Sequence, residues 1–142
     1  MLHESAVPLS LLEVLRDLQG KTSAAGFALA GGTSLALRFG HRLSVDLDFF
    51  TSTHFEPSTL AAHLGIGPEA ITGQAAGSLQ LRINDVKVEF LKHAYPQLTD
   101  CDTIQGLRFW SLEDVAAMKL NAISNRGSKK DFYDLAANRT QR

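Results

Sequence analysis

The sequence holds a single cysteine, Cys101, among 142 residues. That excludes an internal disulfide and points to a reducing compartment. No apolar run comes near the roughly 20 residues a membrane-spanning helix needs, so no membrane contact is expected. The opening MLHESAVPLSLLEVL has no basic segment followed by a purely apolar one. No signal peptide is therefore expected, and the cytoplasm is the expected compartment. Charge of one sign is also missing, since 14 Lys and Arg stand against 15 Asp and Glu for a net −1. The molecule as a whole is then no electrostatic nucleic-acid binder, and any such surface must be local. There is no internal repeat and no low-complexity tract. What is present, 44% hydrophobic and 20% charged residues, is the composition of one globular domain spanning residues 1–142.

Leu11, Leu12, Leu15 and Leu18 recur at helical spacing, and Pro8 and Gly20 bound an amphipathic helix over residues 9–19. A second short helix is expected from Pro57 to Leu64, with Leu60, Ala61 and Leu64 inward. Ser78 to Asn84 and Asp85 to Leu91 alternate apolar and polar residues, and the Asn84-Asp85 junction reads as a hairpin turn. Residues 93–105 show no clear pattern. Thr103-Ile104 and Leu107 to Trp110 offer one further short strand, with Trp110 in the core. Ser111 to Asp114 resembles a capping box opening a helix to about Ser124. Arg126-Gly127 breaks that helix, and Ser128 caps another over residues 129–138.

The stretch that organises the chain is GGTSLALRFGHRLSVDLDFF, residues 31–50. A short strand, Phe27 to Ala30, leads into a Gly31-Gly32 turn and a helix from Thr33 to Phe39. A glycine turn before a helix lets an anion approach backbone N–H groups closely. Thr33 or Ser34 can cap the helix, or offer a hydroxyl to a phosphate. The strand Val45 to Phe50 then places Asp46 and Asp48 on one face and Val45, Leu47 and Phe49 on the other. Two neighbouring carboxylates repel each other and are costly to desolvate, which a cation between them relieves. Arg42, between the glycines and the acids, can neutralise surplus negative charge, and Ser44 is a further candidate there.

Glu89 stands in mid-strand, away from the apolar side. It is a solvent-facing residue, or a third metal carboxylate if its strand lies beside Asp46 and Asp48. Lys119 shares a helical face with apolar and small residues. It snorkels to the surface, or it faces an anionic ligand. From Arg126 onward, five basic residues (with Lys130 among them) outnumber Asp131 and Asp134 by three. This is the one stretch where contact with a polynucleotide is electrostatically reasonable.

Together these parts describe phosphoryl chemistry. Asp46, Asp48 and Glu89 are hard oxygen ligands that suit Mg²⁺ or Mn²⁺. Two such ions activate an attacking hydroxyl and stabilise a leaving pyrophosphate. Lys119 neutralises the triphosphate, and its replacement by alanine is expected to weaken nucleotide handling while leaving the fold intact.

The segments GGTSLALRFGHRLSVDLDFF, VKVEFL and AAMKLNAISNRGSKKDFYDL resemble the AbiEii/AbiGii family of nucleotidyltransferase-like toxins, in the DNA polymerase β-like nucleotidyltransferase superfamily. The resemblance spans roughly residues 9 to 138. It implies an α/β (α+β) fold, a mixed sheet flanked by helices in a minimal single domain, and transfer of a nucleoside monophosphate from an NTP. Carried over by motif, Gly31, Gly32, Thr33, Asp46 and Asp48 match the first motif and Glu89 the second. Lys119 matches the third, and Asp131 the fourth, with Asp134 as the other candidate. Ser34, Arg42, Ser44, Arg126 and Lys130 complete the candidate set. Some relatives modify the 3′ end of tRNA as toxins paired with an antitoxin, and others modify proteins or serve as antitoxins. Many relatives continue into a helical region beyond Arg142. An acceptor surface that is reduced, absent, or supplied by another subunit, in a dimer or an antitoxin complex, is therefore expected.

Overall fold

The structure, a computed structural model, describes residues 1–21, 26–93, 96–125 and 129–141, with side chains as far as 139. The expected helix break at Arg126-Gly127, the Ser128 cap and the candidate Arg126 lie outside the described residues.

Among the described residues seven strands form one mixed sheet. In chain order they are β1 (Ala28–Ala30), β2 (Asp46–Thr51), β3 (Ile71–Ala75), β4 (Ser78–Ile83), β5 (Val86–Lys92), β6 (Asp102–Ile104) and β7 (Leu107–Phe109). Across the sheet the order is β3-β4-β5-β2-β1-β7-β6. The β2–β5 and β1–β7 pairs are parallel and the others antiparallel. Among the described residues five α-helices flank it: α1 (Leu9–Gln19), α2 (Gly31–Phe39), α3 (Pro57–His63), α4 (Leu112–Asn125) and α5 (Lys129–Gln141). Among the described residues no helix is long and apolar enough to cross a membrane.

Period-two alternation divides the sheet into two unlike faces. Leu47 and Phe49 of β2, Val88 and Phe90 of β5, and Leu79 and Leu81 of β4 turn to one side. There they meet Leu11, Leu15 and Leu18 of α1 and Leu60 and Ala61 of α3, which forms the main core. Phe49 stacks on Phe90 with ring centroids 5.0 Å apart. The other face carries a smaller core of Ala28, Ala30, Leu35, Trp110 and Val115 under α2 and α4. Asp46, Asp48 and Glu89 sit on that second face, beside the smaller core.

Local chemistry explains the turns. Asn84 and Asp85 both take positive φ, 49° and 64°, as a two-residue hairpin turn requires. Gln105 and Gly106 do the same at 51° and 79°. Two antiparallel strands, β6 and β7, therefore stand where the sequence suggests one. Strand β3 has no counterpart in the sequence pattern. ITGQA has little alternation, and it forms an edge strand held by β4. The capping box opening α4 forms in part. The Asp114 amide donates to Ser111 Oγ at 3.0 Å, while the Asp114 carboxylate accepts from the amides of Leu98 and Thr99.

Candidate active site

The parallel register of β2 and β5 sets Asp48 directly beside Glu89 and Asp46 beside Lys87. Asp46, Asp48 and Glu89 all line a cavity of about 500 Å³. Gly31, Gly32, Thr33 and Ser44 form another part of its wall, and Lys119 and Lys130 a third. Phe50, Leu91, Val115 and Met118 supply an apolar lining. Strand and helix thus bring together residues that are up to about a hundred positions apart.

The glycine pair acts differently from the expected turn. Helix α2 begins at Gly31 itself, directly after β1, with no side-chain cap. Gly31 takes φ +69°, and a Cβ there would lie 2.6 Å from Asp48 Oδ2. A Cβ on Gly32 would lie 1.9 Å from Arg42 Nη2. The two glycines let the helix start press against an acid and a guanidinium. Thr33 and Ser34 do not cap. The Thr33 hydroxyl donates to the Asp46 carbonyl and accepts from Ser44 Oγ at 2.6 Å, tying α2 to the start of β2. Ser34 Oγ donates to the Gly31 carbonyl at 2.8 Å, within its own helix, and Ser34 is not among the cavity-lining residues.

Burial and crowding show at Asp48. Burial first, then the charges of Glu89 and Asp46, push the Asp48 carboxyl up to about 6, against the opposing pull of Lys119 and Lys87. Gln80 Nε2 donates to Glu89 Oε2 at 3.0 Å and draws that carboxylate toward β4. Among the described residues, no three acidic, histidine or cysteine side chains converge so that they could hold a metal ion as they stand. The expected three-carboxylate cluster is thus a shared wall and not a closed ligand set. The donor chemistry still fits a hard dication, because the acids are all oxygen donors carrying excess negative charge.

The basic residues of the site are held by α5. Asp131 and Asp134 are fully buried. Lys119 Nζ lies 3.0 Å from Asp131 Oδ1 and 2.7 Å from Asp134 Oδ2. Asp134 also accepts from Arg42 Nε at 2.7 Å, from Arg42 Nη2 at 2.8 Å and from His41 Nε2 at 2.6 Å. Burial alone would raise the Asp134 carboxyl, but the hydrogen bonds from Arg42, Lys119 and His41 outweigh it and hold it below the usual range. Arg42 therefore neutralises Asp134 and not the Asp46–Asp48 pair. Lys119 is a buried residue, and the snorkelling alternative falls. Neither Asp131 nor Asp134 is among the residues lining the cavity, so both act through the cations they hold. Lys130, by contrast, is exposed at the rim.

Two contributors escape the sequence reading. Gln80 pairs with Glu89 across the β4–β5 hairpin. That pairing follows by counting outward from the Asn84-Asp85 turn, so the signal is there to be found. His41 reads as a loop residue, and nothing in the sequence links it to Asp134.

A mixed sheet with acids on adjacent parallel strands, faced by a glycine-started helix, defines a nucleotidyltransferase fold. The Megavirus polyadenylate synthase shares it at a TM-score of 0.65 and 13% identity, over 92% of this chain and 31% of that one. JHP933 from Helicobacter pylori shares it at a TM-score of 0.61 and 22% identity, over 95% of this chain and 66% of that one. The chain itself belongs to the nucleotidyl transferase AbiEii toxin family of Type IV toxin–antitoxin systems, whose model matches residues 13–138. An uncharacterized protein of Aquifex aeolicus is 37% identical over 114 residues, 77% of this chain and 55% of that relative. The chain thus spans about half the length of the curated relative it matches.

Proposed function

We propose that this chain transfers a nucleoside monophosphate from an NTP to an RNA acceptor, as the toxin of a toxin–antitoxin pair. The observation that carries the reading is the Asp48–Glu89 register, with Asp46 on the same wall of a cavity whose other walls are a helix N-terminus and two lysines. Asp46, Asp48 and Glu89 would hold Mg²⁺ or Mn²⁺. When bound, these ions polarise the phosphates and lower the barrier to attack. The amides at Gly31 and Gly32 and the ammonium of Lys130 face the phosphates. Lys119, with Asp131 and Asp134 behind it, offsets the charge of the acidic wall. The acceptor hydroxyl oxygen bonds to the α-phosphorus as the bond to pyrophosphate breaks. On this reading residues 1–142 form a single nucleotidyltransferase domain, and the cytoplasm, where NTP and RNA abound, is the place for it. A partner antitoxin follows from the family, and a homodimer is the alternative assembly.

The test incubates the protein with Mg²⁺, each NTP labelled at the α-phosphate, and total RNA. Label should appear on RNA, and disappear with EDTA and with Asp46→Ala plus Asp48→Ala. No transfer by wild type, or equal transfer by the double variant, would sink the reading. Label on protein in place of RNA would point to a protein-AMPylating, antitoxin-like enzyme. NTP binding without transfer would mark a regulatory module.

A further inference from the structure

Helix α5 separates its charges by face. Its acids, Asp131 and Asp134, point inward and are already matched by Lys119 and Arg42. Its cations, Lys129, Lys130 and Arg139, are exposed, and among the described residues none of the three forms an ion pair. The outward face therefore carries two uncompensated positive charges, Lys129 and Arg139, with Lys130 at its edge, on a molecule whose net charge is −1. Two large aromatics stand on the same face, Phe132 at 53% and Tyr133 at 54% exposure. Lys129 Nζ lies over the Tyr133 ring, 5.7 Å from its centroid. Lys130, next in sequence to that face, also lines the acidic cavity.

We infer that the outward face of α5 is a docking platform for a single-stranded RNA acceptor. Bases stack on Phe132 and Tyr133, Lys129 and Arg139 contact phosphates, and the strand's end passes Lys130 into the cavity. Exposed aromatics interleaved with unpaired cations are the surface that single-stranded nucleic acid recognises with little sequence preference. The Lys129–Tyr133 contact holds the ring with its cation in place. Lys130, at the edge of this face, also lines the cavity, so a strand lying on the face has a cation leading it toward the acids. This inference rests on the RNA-acceptor reading and adds to it the surface and the strandedness of the partner.

The experiment titrates a fluorescein-labelled single-stranded RNA of mixed sequence, about 12 nucleotides long, into wild type, Phe132→Ala/Tyr133→Ala and Lys129→Glu/Arg139→Glu. The aromatic variant should bind at least about tenfold more weakly. The charge variant should also flatten the salt dependence, by about 0.7 in log–log slope for each phosphate that is no longer neutralised. Melting temperature and NTP affinity should not move in either. Equal RNA affinity in all three proteins would overturn the platform. So would a dimer that Phe132→Ala/Tyr133→Ala dissolves, which would make a second copy the occupant, or label transfer to a protein that both variants impair. Wild type that binds RNA through this face but transfers no label would sink the catalytic reading and leave the platform standing. Undiminished transfer to RNA by the aromatic variant would do the reverse.

Discussion

Asp134 accepts two parallel hydrogen bonds from Arg42, at 2.7 and 2.8 Å, across 92 positions of sequence. With Asp134 fully buried, this fork is what fixes α5 against the segment leading into β2. Removing Arg42 leaves the buried Asp134 with Lys119 and His41 alone, and removing Asp134 leaves Arg42 without its carboxylate, at a cost of about 3–5 kcal/mol. Arg42→Ala and Asp134→Ala should each lose that much stability in urea titrations. Arg42→Lys should recover less than half, since an ammonium cannot reproduce the fork.

The same pair predicts an acid limit. The Asp134 carboxyl is held below its ordinary value in the fold. Its contribution is therefore present above about pH 4 and is lost as pH falls through the folded value. Wild type should lose stability over that acid range, and Asp134→Asn should show a shallower loss. Parallel slopes in pH-dependent melting would contradict the pairing.

Asp48 behaves in the opposite sense. Its carboxyl sits at about 6 in the fold against an ordinary 3.8, so the folded state loses stability as pH rises between those values. Asp48→Asn should gain on the order of 1–3 kcal/mol over wild type above pH 6, and nothing below about pH 4. The same variant should be inactive in transfer. Added Mg²⁺ should raise the melting temperature of wild type and not that of Asp46→Asn/Asp48→Asn.

Two lysines of one cavity should separate in their effects. Lys119 is buried against two carboxylates, so Lys119→Ala should lose about 3 kcal/mol or more as well as activity. The burial of Lys119 against these carboxylates thus argues for a stability loss where the sequence alone suggests an intact fold. Lys130 is exposed and forms no ion pair among the described residues, so Lys130→Ala should leave the melting temperature within a degree or so and raise KM for NTP several-fold. Steady-state kinetics and calorimetry on both variants check the split.

The glycine pair gives a steric test. Gly32→Ala places its methyl 1.9 Å from Arg42 Nη2 and must displace the guanidinium. Gly31→Ala both strains a φ of +69° and meets Asp48 at 2.6 Å. Each should cost about 1–3 kcal/mol and most of the activity. Full activity in either would show that the helix start has room to shift.

The acidic wall is legible because strand alternation is a local pattern. Asp46 and Asp48 face together whatever else the chain does, and Glu89 sits out of phase with Val88 and Phe90. The partners of the cations leave no such trace. Lys119 reads as an inward lysine from helical spacing, but its choice of Asp131 and Asp134 over a bound anion is decided by how α4, α5 and α2 pack. The hydroxyls of Thr33 and Ser34 mislead for a related reason. Their residue types suit a cap, and only the position of β2 reveals that Thr33 is bonded to the Asp46 carbonyl. Strand β3 is hidden by Gly73 and by its place at the sheet edge, where one neighbour suffices and alternation is weak.

Helix α5 follows every other described element, yet it carries the carboxylates that hold Lys119 and Arg42 in place. During synthesis the acids of β2 and β5 come off the ribosome well before those counter-ions are fixed. Without α5, neither Lys119 nor Arg42 has a carboxylate partner among the described residues. The basic side of the cavity is therefore set from a distance, and a change that loosens α5 should disturb Lys119 and Arg42 without touching either side chain.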